Sequence, residues 1–434
     1  MGRLFGTDGV RGVANRDLDA KLAYSIGRAA AQVLSSHHKP VILIGKDTRV
    51  SGDMLECAIA AGITSAGADV LLCGVVPTPA VAYLTKEHAD AGVVISASHN
   101  PYEYNGIKIF DRDGFKLSDA LEDRIEALVN EPASPGGAIG RVRPFGNAAE
   151  RYTDYLLRCV TPDLSGLRIA VDCANGAASL TAKRLFNKLN PAELNVIHDE
   201  PDGFNINDRC GSTHMDGLRR LVTDRHCDVG FAFDGDADRC LCVASDGRVV
   251  DGDQIMAVCA RHENEPGFVA TVMSNLGLHV WTRERGIKLV CAPIGDRYVL
   301  EEMRKGGHML GGEQSGHVIF LRHSTTGDGQ LTALKLLSAM SGGVNLTQLS
   351  IPQYPQILLN VPVRWEDKAT LAERPAVLAA VSAAKLALGA DGRVLVRPSG
   401  TEPLVRVMVE GKDEEEITRL ARDIADTIEQ KSPL

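Results

Sequence analysis

The sequence lacks the features that mark several specialised classes of protein. It has no apolar run that approaches the length of a membrane span, and its N-terminal residues lack the apolar core of a signal peptide. Basic residues are not in excess, because 47 Lys and Arg face 56 Asp and Glu, whereas a general nucleic-acid or anionic-membrane binder needs a basic face. We therefore expect a cytoplasmic protein with no nucleic-acid or membrane partner.

The ten cysteines include no CxxC pair, the spacing that would indicate a zinc site or a redox motif. Most of them fall inside apolar strand or helix patterns, where cysteine behaves as a small buried residue. This distribution predicts free thiols in a reducing compartment and argues against a disulfide framework.

What the chain does have is the composition of an ordinary globular protein, with 44% apolar and 24% charged residues in 434 positions. That length exceeds what one hydrophobic core supports, so several domains are expected. Strand-like runs alternate with helical periodicity in three sections of similar length, which predicts three α/β units and suggests a triplicated module, and a smaller α+β section follows. The predicted domains are 1–150, 151–252, 253–354 and 355–434.

A serine at the end of a predicted buried strand is the first candidate for chemistry. The uncharged run Ala91–Ile95 leads into the segment 96–101, which ends in Asn-Pro and forces a turn because proline has no N–H to extend a ladder. Ser98 therefore lies at the carboxyl end of a strand, where open α/β sheets bind ligands. With His99 beside it and Lys108 downstream, it could carry a transferred group. A turn merely capped by a serine explains the same residues.

Three carboxylates occupy alternate positions directly after another predicted strand: Asp234, Asp236 and Asp238. Carboxylates this close repel one another unless a cation lies between them, and ligands that are all oxygens favour a hard ion such as Mg²⁺. A calcium EF-hand loop is excluded, because Arg239 and Ser245 stand where it needs Gly and Glu. A phosphatase with Asp234 as nucleophile remains compatible with the spacing, although Ser98 would then have no role. A solvated acidic turn without a catalytic function is the other alternative.

Two further segments combine turn residues with polar side chains. In 311–317, glycines flank Glu313, Ser315 and His317, a set that suits the hydroxyls of a sugar but also fits a plain glycine-rich turn. The segment 397–403, with Arg406 beyond it, offers hydroxyls, backbone N–H groups and a guanidinium to a dianion.

The 397–403 segment lacks the GxxxxGK pattern of a nucleotide P-loop, so a phosphate monoester is favoured over ATP, with a simple turn between strands as the alternative. The four segments fall one per predicted section. A single cleft where four domains meet would use all of them at once.

With these segments in hand, the chain closely resembles the α-D-phosphohexomutase superfamily over essentially its whole length. The resemblance rests on five motifs: FGTDGVRG (5–12), SASHNP (96–101), DGDADR (234–239), GGEQSGH (311–317) and RPSGTEP (397–403). It implies an α/β fold of three similar domains with mixed sheets and a smaller C-terminal α+β domain of the TATA-box-binding-protein type, around a central cleft.

The resemblance also implies roles for individual residues. Ser98 would be the phosphoserine that donates and recovers the phosphoryl group, and its phosphate would share Mg²⁺ with the three aspartates. Glu313 and Ser315 would bind sugar hydroxyls. The non-reacting phosphate would be held by the last segment, through Arg397, Ser399, Gly400, Thr401 and Arg406. Three residues match family positions near the reacting oxygen and are candidates for general acid–base catalysis or for charge stabilisation, and the resemblance does not choose among them: Arg11, Lys108 and His317.

Within the superfamily, the opening residues and Gln314 make the sequence look like the branch that acts on glucosamine phosphates. The implied activity interconverts glucosamine 6-phosphate and glucosamine 1-phosphate through a glucosamine 1,6-bisphosphate intermediate, and supplies UDP-N-acetylglucosamine and peptidoglycan precursor synthesis. The implied partner is a small hexosamine phosphate, and a homodimer is left open. The alternatives are a sister mutase acting on mannose or glucose phosphates, and a non-catalytic sugar-phosphate-binding regulator.

Overall fold

The computed structural model describes residues 4–6, 8–34, 38–131, 137–399 and 403–431. The chain forms two compact units. Unit 1 comprises Met1–Met273 and Ile287–Leu349, and unit 2 comprises Ser274–Gly286 and Ser350–Leu434. Within the described residues, no helix combines the length and the apolarity that crossing a bilayer requires.

The first sheet of unit 1 has the strand order β1-β5-β4-β2-β3-β6. Its strands are β1 (Val10–Val13), β2 (Val41–Lys46), β3 (Asp69–Val75), β4 (Ala91–Ile95), β5 (Tyr104–Asp111) and β6 (Val142–Pro144). The sheet is mixed, because β4, β2, β3 and β6 run parallel while β5 is antiparallel to both β4 and β1. The accompanying helices are α1 (Ala20–Leu34), α2 (Gly52–Ser65), α3 (Thr78–His88), α4 (Asp119–Val129) and α5 (Ala148–Cys159).

The second sheet repeats this plan in the order β11-β10-β9-β7-β8. Its strands are β7 (Arg168–Asp172), β8 (Glu193–Ile197), β9 (Val229–Phe233), β10 (Cys240–Ala244) and β11 (Val249–Val250), with helices α6 (Ala182–Asn187) and α7 (Asp216–Asp224). Strands β8, β7 and β9 are parallel, and β10 turns back antiparallel to β9.

The third sheet has the order β13-β12-β14-β15 and again ends in an antiparallel strand. Its strands are β12 (Gly267–Thr271), β13 (Lys288–Ala292), β14 (Leu310–Gly312) and β15 (Val318–Phe320). The helices of this section are α8 (Gly252–His262), α9 (Leu276–Glu284), α10 (Asp296–Gly306) and α11 (Gly329–Ser341), of which α9 belongs to unit 2. Helix α8 begins at a capping box in which Asp251 and Gln254 satisfy each other's backbone N–H groups.

Unit 2 contains a three-stranded antiparallel sheet in the order β16-β18-β17. Its remaining elements are β16 (Gln356–Pro362), α12 (Lys368–Leu371), α13 (Pro375–Leu388), β17 (Arg393–Pro398), β18 (Leu404–Glu410) and α14 (Glu414–Lys431). Helix α14 lays Ile417, Ile424 and Ile428 into a core that also holds Val405 and Val407. Three glutamates in its first turn favour the positive end of the helix dipole.

The predicted fold class is confirmed: three α/β sections with mixed sheets precede a smaller α+β section. In the second section, a 3₁₀ turn (Ala177–Leu180) precedes the short helix α6. The Ala177 N–H donates to Gly235 O (2.8 Å), which ties the start of this segment to the loop that carries the aspartates. All ten cysteines are free as expected, although Cys57 and Cys291 are exposed.

Candidate active site

Each sheet of unit 1 carries one of the candidate loops at an equivalent position. The serine loop (96–103) joins β4 to β5, the aspartate loop (234–239) joins β9 to β10, and the glutamate loop (313–317) joins β14 to β15. In every case the chain leaves the carboxyl end of a parallel strand and returns along an antiparallel neighbour. This is the edge at which α/β sheets present ligand-binding groups.

The serine and aspartate loops are in direct contact. Ser98 Oγ donates a hydrogen bond to Asp234 Oδ2 (2.6 Å), and only 1% of Ser98 is exposed. A Cβ at position 235 would lie 2.6 Å from Ser98 O, so the two loops can approach this closely only because Gly235 has no side chain. The structure therefore brings the predicted hydroxyl to the predicted carboxylates.

The three aspartates form a buried cluster and are not a solvated turn, since they are 1%, 1% and 5% exposed in chain order. Burial and the charges of its two neighbours raise the pKa of Asp234 well above its usual range. Burial acts in the same direction on Asp238, but the charges of His317 and Lys108 outweigh it and lower the pKa of that carboxyl. Thr78 Oγ1 donates to Asp236 Oδ2 (2.7 Å).

The donors of this cluster fit a metal ion. Each aspartate offers one oxygen, and the three oxygens lie within 4.8 Å of one another. Among the described residues, Asp236 Oδ1 and Asp238 Oδ1 are buried without a hydrogen-bond partner. Buried carboxylate oxygens without a partner are costly unless a cation is near, and three oxygen donors suit a hard ion. The cluster therefore has the composition of a metal-ion site.

Two cationic side chains of the first sheet face the aspartates. Lys108 on β5 is buried, with Nζ 3.0 Å from Asp236 Oδ2 and 3.7 Å from Asp238 Oδ2. Burial opposes its charge, but the carboxylates, Asp236 foremost, raise the pKa of Lys108. Arg11 on β1 bonds to Asp8, and the charges of Asp8 and Asp236 raise the pKa of its guanidinium against the effect of burial.

His317 closes the site from the third sheet. Its Nδ1 is 3.5 Å from Asp238 Oδ2, and the Gly327 nitrogen is 3.0 Å from its Nε2. Burial lowers the pKa of His317, but Asp238 and then Asp296 outweigh it and raise the value to about 9. All three acid–base candidates thus lie beside the aspartates or their partners.

The sugar-loop candidates lie next to each other on the glutamate loop. Ser315 Oγ donates to Glu313 Oε2 (3.3 Å), and the Gly295 N–H donates to Glu313 Oε1 (3.1 Å). Both side chains are partly exposed. The loop is joined to the start of β10, directly after the aspartate loop, by the bond from Cys240 N–H to Gly316 O (3.0 Å).

Sequence reasoning missed several charged residues of the site, among them Asp8, Lys116 and Asp296. Lys116 donates to both Asp8 and Asp296, and Asp296 in turn lies 3.7 Å from His317 Nε2. Asp8 lies within the opening motif FGTDGVRG (5–12), from which it could have been predicted as a site residue. Lys116 and Asp296 lie outside every motif, and the only signal at Lys116 is a lysine between two apolar residues.

The predicted phosphate-binding residues belong to unit 2. The pairing of β17 with β18 sets Arg397 opposite Arg406, and burial together with the charge of Arg406 lowers the pKa of Arg397. Two guanidinium groups side by side repel each other, an arrangement that favours a bound anion. The buried Ser399 follows β17, and its N–H donates to Leu404 O (2.9 Å). Two predicted residues lie outside the described part of the chain: Gly400 and Thr401.

Comparison with known proteins identifies the family. Models of phosphoglucomutase/phosphomannomutase domains match in order: alpha/beta/alpha domains I, II and III at residues 2–135, 150–247 and 251–354, and the C-terminal domain at 358–427. A solved phosphoglucomutase/phosphomannomutase family protein from Burkholderia thailandensis is 25% identical with a TM-score of 0.84, over 99% of this chain and 98% of that chain.

Two curated relatives cover the whole chain at higher identity. A phosphoglucosamine mutase of a Thermoanaerobacter species is 51% identical over 446 residues, which is 99% of this chain and 100% of that protein. A phosphoglucosamine mutase of Pelotomaculum thermopropionicum is 53% identical with the same coverage. The chain therefore belongs to the phosphoglucomutase/phosphomannomutase family and, within that family, to the phosphoglucosamine mutases.

Proposed function

We propose that this chain is an isomerase that interconverts glucosamine 6-phosphate and glucosamine 1-phosphate through a phosphoserine at Ser98 and a bound glucosamine 1,6-bisphosphate. The observation that carries the proposal is the bond from Ser98 Oγ to Asp234 in a buried cluster of carboxylates and cations. Relatives named phosphoglucosamine mutase, at about half identity over the full chain, support the choice of sugar.

The proposed reaction has two phosphoryl transfers. In the first, the bond from phosphorus to Ser98 Oγ breaks and a bond to O1 of glucosamine 6-phosphate forms; the O1 hydroxyl gives its proton to a base of the site, and the released Ser98 Oγ takes up a proton. In the second, the bond from phosphorus to O6 of the bisphosphate breaks and a bond to Ser98 Oγ forms; Ser98 Oγ gives up its proton, and O6 takes one up. The candidates for the base, for the acid and for charge stabilisation are Arg11, Lys108 and His317.

The transferring group carries negative charge throughout, so the cations around Ser98 stabilise it electrostatically. Asp234, Asp236 and Asp238, together with an oxygen of phosphorylated Ser98, would hold Mg²⁺, which neutralises charge on the phosphoryl oxygens when it is bound. Lys108 adds a fixed positive charge 3.0 Å from Asp236.

Substrate recognition is assigned to the two remaining loops. The Glu313 carboxylate would accept hydrogen bonds from sugar hydroxyls, and the Ser315 hydroxyl would donate a hydrogen bond to one or accept one from it. The non-reacting phosphate would be bound by Arg397, Ser399, Gly400, Thr401 and Arg406. The paired guanidinium groups of Arg397 and Arg406 support this assignment, because a dianion relieves their mutual repulsion.

The enzyme's product would supply UDP-N-acetylglucosamine and peptidoglycan precursor synthesis in the cytoplasm. Its binding partner would be a small hexosamine phosphate, and the assembly to be tested is a homodimer. The four proposed domains keep the boundaries 1–150, 151–252, 253–354 and 355–434.

A coupled isomerisation assay with glucosamine, glucose and mannose 6-phosphates tests the function, combined with mass mapping of phosphate on the Ser98 peptide. We expect the highest kcat/KM with glucosamine 6-phosphate and phosphate on Ser98. A higher kcat/KM with glucose or mannose 6-phosphate would favour the sister mutases, an activity that the broader family models also allow. Absence of turnover with all three sugars, despite binding, would favour a sugar-phosphate-binding regulator.

A further inference from the structure

Ser98 adopts an unusual backbone conformation whose supports lie outside the reacting groups. Its φ is +55°, in the left-handed region that residues with a Cβ rarely occupy unless the surrounding structure holds them there. Because the direction of the Ser98 side chain follows from this backbone conformation, the groups that hold the turn also determine where Oγ points.

Arg49 supplies four of these supports from one buried guanidinium group. Its Nη2 donates to Ser98 O (2.9 Å) and Asn100 O (2.8 Å), and its Nη1 donates to Tyr104 O (3.0 Å) and to Pro101 O. The side chain has no exposed surface. Four carbonyl groups around one planar fork fix the path of the whole serine loop, which a single ammonium group cannot do.

Asp47 fixes the positions of Arg49 and of Ser96, which follows the end of β4. Its Oδ2 accepts from Arg49 Nε (2.9 Å) and from Ser96 Oγ (2.6 Å), and the Ser98 N–H donates to Ser96 Oγ (2.9 Å). The N–H and the carbonyl of Ser98 are therefore both bonded to the same buried network, which leaves its side-chain oxygen for the aspartate loop.

Asn207 adds a support from the second sheet. Its Nδ2 donates to Ser98 O (2.9 Å) and Asn100 O (3.0 Å), the same carbonyls that Arg49 binds. The Asn207 N–H donates to Ala174 O (2.9 Å), just beyond β7 in the sheet that carries the aspartates. Asn207 thus ties the serine loop to the sheet whose carboxylates face Ser98.

We propose that Arg49 and Asn207 are positioning residues for phosphoryl transfer. They fix the left-handed turn at Ser98 and thereby direct its Oγ toward the aspartate loop. The inference rests on the proposed function, since it assumes that Ser98 carries the phosphoryl group. Neither side chain touches the reacting oxygen, so both act through the backbone of Ser98.

The test compares Arg49→Lys and Asn207→Ala with the wild-type enzyme, with turnover expressed per Ser98 phosphate determined by intact mass. Arg49→Lys keeps the positive charge beside Asp47 but loses the planar fork. We expect kcat to fall about 10–100-fold in each variant while KM for glucosamine 6-phosphate stays within about twofold, because misplacement of a reacting atom affects the transition state more than binding. In the double variant the loss should be smaller than the product of the single losses, because both side chains hold the same carbonyls.

Two matched controls separate positioning from stability. Arg28→Lys alters another buried arginine of the first section, whose guanidinium donates to Leu128 O (3.2 Å) and Glu131 O (2.6 Å) away from Ser98. Asn205→Ala alters the same loop as Asn207, but the Asn205 amide donates to Glu200 O. We expect both controls to retain wild-type kcat, even where Arg28→Lys lowers the thermal unfolding midpoint.

Wild-type kcat in folded Arg49→Lys and Asn207→Ala would overturn the inference while leaving the proposed function intact. An equal loss of kcat in Arg28→Lys at equal thermal stability would overturn it too, because the effect would then be structural. Should Arg49→Lys fail to fold, Asn207→Ala decides alone. A wild-type enzyme that neither turns over nor carries phosphate on Ser98 would instead refute the proposed function, and the inference with it.

Discussion

At the residue scale, the site is built from largely buried lysines that lie between carboxylates. None of these charged side chains would be stable in a buried position without the others. Lys108 lies 3.2 Å from Asp8 and 3.0 Å from Asp236, and Lys116 bonds to Asp8 and Asp296. Each buried charge has an opposite partner, which offsets part of the cost of removing it from water. Loss of one member removes one of the opposite charges that stabilise each of its partners.

Ser98→Ala should abolish mutase activity, with a loss of roughly 10⁴-fold or more, because it removes the proposed nucleophile. Binding of glucosamine 6-phosphate, followed by calorimetry, should persist, since the sugar and phosphate contacts are assigned to other loops. Ser65→Ala, which removes a hydroxyl bonded to Gly62 O within α2 and to Tyr24, serves as the control. Substantial turnover by Ser98→Ala would contradict the assignment.

Asp236→Asn should lower kcat by about 10²-fold and raise the Mg²⁺ concentration needed for half-maximal rate. The substitution removes one charge from the proposed ligand set and also weakens the partner of Lys108. A titration of the initial rate with Mg²⁺ measures both effects. Asp246→Asn, on the exposed turn after β10, should behave as the wild type; an unchanged Mg²⁺ response in Asp236→Asn would count against the metal site.

At the scale of elements, the N-cap residue of helix α11 is a buried carboxyl group with a shifted pKa. Asp328 precedes α11, and its Oδ1 accepts from Leu331 N–H (2.9 Å) and from Tyr152 OH (2.7 Å). Burial raises the pKa of Asp328 to about 6 in spite of these hydrogen bonds. In the unfolded chain the same carboxyl titrates at about 3.9.

The folded protein should therefore lose stability as the pH rises from about 4 to about 6. In that window the folded state keeps a proton on Asp328 that the unfolded state has released, so this carboxyl contributes at most about 3 kcal/mol below the window and little above it. Thermal unfolding midpoints between pH 4 and 6.5 measure the effect. In Asp328→Asn, which keeps a capping oxygen, the midpoint should depend less on pH, whereas Asp216→Asn at the exposed start of α7 should not alter the wild-type dependence. An equal pH dependence in wild type and Asp328→Asn would rule out this carboxyl as the source.

Element prediction succeeded where a segment is locally self-sufficient. The buried strand Ala91–Ile95 was predicted with its observed bounds, because an uncharged β-branched run between turn residues has few other solutions. The antiparallel strands β5, β10 and β15 were not distinguished from loops. Each of them pairs with a strand whose position depends on the whole sheet, and β15 has only three residues.

At the scale of the whole molecule, the three sheets of unit 1 place their chemistry at the same topological point, the turn between the last parallel strand and its antiparallel neighbour. This recurrence agrees with the triplicated module suggested by the similar element order of the three sections. It explains how segments far apart in sequence supply one site: the Ser98 and Asp234 positions are 136 residues apart and share a hydrogen bond.

Mg²⁺ should stabilise the folded enzyme, because the proposed ion would bind a carboxylate cluster that is held in place only in the folded chain. At a Mg²⁺ concentration about 100 times Kd the gain is about 2.7 kcal/mol, provided that the unfolded chain does not bind the ion. Differential scanning calorimetry with Mg²⁺ and with EDTA measures the shift in unfolding temperature. The shift should vanish in Asp236→Asn and persist in Asp246→Asn; an equal shift in both variants would show that the ion binds elsewhere.

The sequence by itself determined the local turns, the carboxylate spacing and the family, because proline, glycine and alternating charges act over a few residues. It thereby named Ser98, the three aspartates and the glutamate loop. Only the tertiary structure decided that Arg49 and Asn207 hold the Ser98 carbonyl, from 49 and 109 positions away, and that Lys116 joins Asp8 to Asp296. The order of the strands in the sheets determines which of these residues meet. A hydrogen bond between residues distant in sequence cannot be recognised from the sequence around either residue.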